Sequence, residues 1–201
     1  MPLAPADDGA PRGLLCVNHE YPPTPLMFPA VAAGYPDTMT AELCAVEMAA
    51  HGGSIIEIVL HDGTWQLVVD SPYNRRLMAD RTPMHITGPA AGHPRLATGA
   101  DPDARVVQGT LNNCAGGITP WGTYLLAEEN FHGYFLGTLP EGHPEAANYA
   151  RYGVPEGWFQ WGRHFADFDL AREPNAPNRY GWVVEDDPLD PAYHLADRLQ
   201  V

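Results

Sequence analysis

Apolar residues fall in short bursts along this chain, and turn-forming residues soon break each burst. Residues 54–60 are dense in isoleucine and valine with little alternation, the pattern of a buried strand. His61, Asp62, Gly63 and Thr64 then turn the chain, and residues 65–69 return, which predicts a β-hairpin. Residues 13–17, 106–111, 121–127, 131–136 and 181–185 predict further short strands, and residues 112–117 predict a turn. One segment has the helical period. Leu43, Val46 and Ala50, broadened by Met48 and Ala49, form an apolar stripe within residues 37–51. Asp37, Thr38 or Thr40 can cap that helix, and Gly52 stands where a left-handed residue ends one. Residues 145–152 predict a second short helix.

Short strands, frequent turns and one or two short helices define a mostly-β domain, arranged as a sandwich or a propeller. No linker splits the chain. Residues 1–12 read as a loose tail, residues 13–191 as the domain and residues 192–201 as a separate end. The 20 glycines and 21 prolines among 201 residues fit turns better than a helix bundle.

Charge narrows the partners. The 25 acidic residues outweigh 11 basic ones, all arginine, for a net charge of −14. Such a surface repels nucleic acid and anionic membranes, and no apolar run reaches membrane-spanning length. Surplus carboxylate suits hard cations such as calcium, but charge alone favours the simpler reading of a surface that keeps the protein soluble. Three cysteines without zinc-type spacing exclude a zinc finger. Phosphate-loop, Gly-x-Ser-x-Gly, His-Glu-x-x-His and Gly-x-Gly-x-x-Gly motifs are all missing from the sequence. The first residues lack the pattern of a secretory signal, and nothing sets an oligomeric state.

Four constellations carry possible chemistry. Cys114, followed by Gly116 and Gly117, reads as a metal-ligating or nucleophilic thiolate, or as a small buried residue. Glu128 and Glu129 leave a predicted strand; adjacent strand residues point to opposite faces, so both serve one site only at a strand end or bulge. Asn18, His19 and Glu20 read as a carboxylate ligand with polar support, or as a surface loop. Strand parity puts Glu185 and Asp187 on one side and Asp186 on the other, so the first two form a candidate calcium pair or a charged strand exit.

The order of these motifs resembles a known family. Asn18 to Tyr21, Glu47 to Gly52, Ser54 to Ile58, Asn74 to Arg76 and Thr87 to Gly92 are similar to the start of the PhoX-type alkaline phosphatases. Gly109 to Gly117, Thr119 to Thr123, Glu128 to Phe131 and Asn178 to Glu185 continue the resemblance. It implies part of a six-bladed β-propeller with incomplete blades. It implies hydrolysis of small phosphomonoesters with ferric iron and calcium, in the periplasm or outside the cell. By that resemblance Cys114 is an iron ligand, and Glu20, Glu128 or Glu129, and Glu185 belong to the carboxylate set, with Asp187 and Asn113 behind them. Cys114, Glu128 and Glu129 are the residues expected to carry catalysis. Family members are far longer, and residues 192–201 do not resemble them, which predicts an incomplete, fragmentary version with little turnover alone. Two alternatives stand beside it: a non-catalytic calcium-binding β domain, in which Cys114 is buried and inert, and a calcium-dependent propeller esterase or lactonase, which needs no thiolate.

Overall fold

The computed structural model describes residues 1–190 and the backbone of residues 196–199. In chain order the first sheet comprises β1 (Pro2–Leu3), β2 (Arg12–His19), β3 (Gly52–His61), β4 (Thr64–Leu67) and β5 (Arg75–Leu77). Two helices, α1 (Thr24–Met27) and α2 (Ala41–Ala50), lie between β2 and β3. The isoleucine-rich β3 is the hub, because it buries apolar side chains with Ile55 fully enclosed. It pairs antiparallel with β2 from Arg12↔Val59 to His19↔Gly52, with β4 over its second half and with β5 over its first.

Residues 1–12 are not a loose tail throughout. β1 pairs with β2, and the Met1 ammonium donates to the Leu14 carbonyl at 2.6 Å. An unpaired edge of β2 offers backbone groups that the first residues satisfy.

The long helix starts later than the stripe predicts. Thr40 caps it by accepting the Leu43 N–H at 3.3 Å, and Gly52 follows at φ +100°. A methyl group at Gly52 would stand 1.9 Å from the Leu77 carbonyl oxygen, so only glycine fits that corner. The helix also buries a different face. Cys44, Glu47 and Met48 are buried while Val46 is exposed. Glu47 tolerates burial because the Thr24 hydroxyl and the Trp161 indole N–H donate to its two oxygens.

The second sheet comprises β6 (Pro83–Ile86), β7 (Val106–Gln108), β8 (Asn113–Ile118), β9 (Tyr124–Glu128), β10 (Val183–Asp186) and β11 (Ala196–Leu199), with helix α3 (Ala146–Tyr152) between β9 and β10. The spatial order is β7-β6-β11-β10-β9-β8, antiparallel except for the β6–β11 pair. The described part of the predicted separate end, Ala196–Leu199, is thus an interior strand; the rest of residues 192–201 lies outside the described residues.

Two local expectations change. Residues 112–117 are mostly strand rather than turn: only Asn112, at φ +48°, turns, and β8 follows at once. Residues 131–136 are not a strand, because Asn130 at φ +47° turns the chain into a short 3-10 helix, Phe131–Tyr134. Below lies an aromatic core, with Tyr134 stacked on Phe159 at 4.7 Å and Trp161 edge-on to Phe168 at 5.0 Å. His51 sits inside it, its Nδ1–H donating to the Glu47 carbonyl at 2.7 Å and its Nε2 hydrogen-bonded to the Tyr134 hydroxyl at 3.0 Å. Arg75 on β5 ties the sheets together by donating to the Asp186 carboxylate of β10 at 2.7 Å. Among the described residues no helix is long and apolar enough to cross a membrane.

Candidate metal centre

Three strands of two sheets end close together. β2 runs to His19 and delivers Glu20 just beyond its last pair. β9 runs to Glu128 and delivers Glu129 in the same way. β8 begins at Asn113, where its register against β9 slips: Asn113 faces Glu128 and Ala115 faces Ala127. Cys114 is therefore the extra residue of a β-bulge, without a partner on β9. A bulge turns its side chain out of the regular alternation, which is how Cys114 leaves the sheet face.

One ligand-type atom each of Glu20, Cys114 and Glu129 lies within 4.8 Å of the others. The thiol is exposed. Local desolvation, then the Glu129 and Glu20 carboxylates, push its pKa above the ordinary value. Crowding a thiol against two carboxylates is unfavourable unless a proton or a cation separates them. The donor set is one soft sulfur and two hard oxygens. It fits a transition metal such as iron, whereas calcium takes six to eight oxygens and two carboxylates cannot fill such a shell.

The backbone around the site is held on every side. Asn112 accepts the Glu129 N–H on its carbonyl at 3.0 Å. Its side-chain amide donates to the Tyr134 hydroxyl at 2.8 Å, which connects the site to the aromatic core. Asn18 Nδ2 donates to the carbonyls of Cys114 at 3.1 Å and Ala115 at 3.0 Å. The Tyr124 hydroxyl donates to Asn18 Oδ1. Gly116 permits this approach: a methyl there would lie 2.6 Å from the Leu125 carbonyl oxygen and 3.2 Å from Asn18 Nδ2. The glycine after the cysteine thus serves close packing, not a turn.

The other expected residues lie elsewhere. Glu128 points inward and is buried, accepting from the Thr110 hydroxyl at 2.7 Å and from the backbone N–H groups of Leu111, Gly181 and Trp182. Glu185 pairs with Leu125, four residues before Glu129 on β9, which is about 13 Å along a strand. Its carboxylate accepts from the Trp121 indole at 2.8 Å and from the Thr123 hydroxyl. Asp187 bends back to accept the Leu189 N–H at 2.9 Å. The parity expectation for this strand holds, since Asp186 alone is buried and faces Arg75, yet Glu185 and Asp187 are engaged by local partners at the far end of the sheet. Asn113 is buried and donates to Thr110 at 2.8 Å.

His19 stays with its sheet, hydrogen-bonded to Ser54 at 2.7 Å. Tyr124 is a contributor that nothing in the pattern marks out, because a tyrosine in a strand reads as ordinary core.

A family profile described as Alkaline phosphatase PhoX matches residues 1–199. The chain belongs to the PhoX family. Among solved structures it is similar to Pseudomonas fluorescens PhoX in complex with vanadate, a transition state analogue, at 39% identity and a TM-score of 0.80. That match covers 93% of this chain and 31% of the Pseudomonas chain, so the chain spans about a third of the length of this PhoX relative. No curated protein matches. The PhoX relationship accounts for the order of motifs in the sequence, and the mostly-β architecture agrees with it.

Proposed function

We propose that this chain supplies the ligands Glu20, Cys114 and Glu129 to a metal centre that hydrolyses phosphomonoesters. The observation that carries the reading is the convergence of these three residues, from three different strand ends, in a chain of the PhoX family. The binding of vanadate, a transition state analogue, to the Pseudomonas relative supports a phosphate-type substrate. A small, uncharged-alcohol phosphomonoester agrees with an acidic surface that repels polyanions.

In this reading Cys114 and the two glutamates would hold ferric iron, and calcium would require further oxygen ligands beyond this set. When bound, such cations withdraw charge from phosphate oxygens and stabilise the departing alkoxide. The residues of this chain fix where that charge sits. The bulge aims Cys114 at the two strand-end carboxylates, and the strand ends hold Glu20 and Glu129 against their mutual repulsion. Exposure of the thiol supports this reading over an inert calcium-binding domain with a buried cysteine.

The wider architecture follows the same line. Two largely antiparallel sheets in a chain that spans 31% of its relative fit two blades of a six-bladed propeller. The test is a chimera in which this chain replaces the matching part of the Pseudomonas protein. Supplied with iron and calcium, it is expected to release phosphate from an aryl phosphate, with inhibition by chelator and vanadate, and to lose that activity on Cys114→Ser. Equal, chelator-resistant release with and without Cys114→Ser contradicts the reading.

A further inference from the structure

We infer that Asn18 is the positioning residue of this centre, one amide that holds all three ligand-bearing strands at a common spacing. The inference rests on the reading of Glu20, Cys114 and Glu129 as ligands. Asn18 lies on β2, two residues before Glu20. Its two amide hydrogens go to consecutive carbonyls, those of Cys114 and Ala115, which belong to the bulge of β8. Its oxygen accepts from Tyr124 on β9, the strand that ends at Glu128, one residue before Glu129. A bulged residue has no ladder partner to fix it. Asn18 supplies that missing restraint on the Cys114 backbone.

Only a short amide meets the three demands. Aspartate at this position would set a carboxylate against two carbonyl oxygens, and alanine would remove the amide from both. Tyr124 is 4% exposed, so its hydroxyl has no bulk water to turn to and holds the amide in one orientation. Gly116 keeps the slot clear for the side chain. Ligand-orienting contacts of this kind change metal affinity by about 10- to 100-fold when removed.

The experiment titrates the 201-residue chain with cobalt(II) alone and reads the thiolate-to-cobalt charge-transfer band. Cys114→Ser is the blank. Asn18→Ala and Asn18→Asp are expected to raise the cobalt dissociation constant by about 10- to 100-fold. Tyr124→Phe is expected to shift it in the same direction by less. Melting temperature is recorded alongside, because a purely structural contact lowers it without moving the band. Variants that fold and bind cobalt with unchanged affinity overturn the inference while leaving the ligand reading intact. Should Asn18→Ala fail to fold, Tyr124→Phe decides, since it removes a single hydroxyl. A band absent from the unsubstituted chain overturns the ligand reading, and the inference falls with it.

Discussion

Glu128 and Glu129 share a peptide bond and face opposite sides of a strand end. Glu128 is enclosed and accepts several hydrogen bonds, whereas Glu129 stands with Glu20 and Cys114. Glu128→Ala is therefore expected to cost about 2–3 kcal/mol in urea unfolding, from several buried donors left unpaired. Glu129→Gln is expected to stay within about 0.5 kcal/mol of the parent and to lose metal content. The opposite pattern would exchange their roles. The sequence could pose this choice through strand parity but not resolve it, because parity says that the two diverge and not which one faces the core. His51 gives a second test. Burial lowers its pKa from 6.5 to about 4. The folded chain thus refuses a proton that the unfolded chain accepts below about pH 6.5. Its stabilising contribution, present in full above that pH, falls by about 3 kcal/mol as pH drops toward 4. His51→Gln is expected to flatten the stability curve across that window, measured by denaturant unfolding at stepped pH.

At the scale of elements, β2, the β3–β4 hairpin, β7, β9, β10 and both longer helices were legible from their apolar runs and turn signals, whereas the three-residue β5 and four-residue β6 carry no such run. Two misread stretches have one cause. The glycines near Cys114 look like a turn, yet Gly116 serves close approach of β8 to its neighbours. The aromatic stretch after Asn130 looks like a strand, yet the left-handed Asn130 redirects it. Composition reports which residues permit a turn and leaves open which are used for packing. The corner at Gly52 is a case where glycine is required. Gly52→Ala combines φ +100° with a 1.9 Å approach to the Leu77 carbonyl oxygen. Strain of that kind costs about 1–3 kcal/mol before the clash is relieved, and a lowered melting temperature checks it. Arg75 is the corresponding clasp between sheets. Asp186 is buried, and its burial pushes its pKa up despite Arg75 beside it. Arg75→Met leaves that carboxylate alone and is expected to cost about 3–5 kcal/mol, read by chemical denaturation at neutral pH.

For the whole molecule, the two sheets meet where β2 and β9 end and β8 begins, and that meeting point is the candidate centre. Nothing in the spacing of Glu20, Cys114 and Glu129 along the chain reveals it, since 94 residues separate the first two and 15 the last two. Ordered motifs pointed to the family; the three-dimensional register, with its bulge at Cys114, brings together Glu20, Cys114 and Glu129 and leaves Glu128, Glu185, Asp187 and Asn113 apart. The most direct test of the central claim is an anomalous diffraction map, recorded at the iron edge, from crystals of this chain grown with ferric iron and calcium. A peak bonded to the sulfur of Cys114 and to carboxylate oxygens of Glu20 and Glu129 is the expected result. Ordered side chains there with no peak between them, or iron held at another set of residues, would contradict the account.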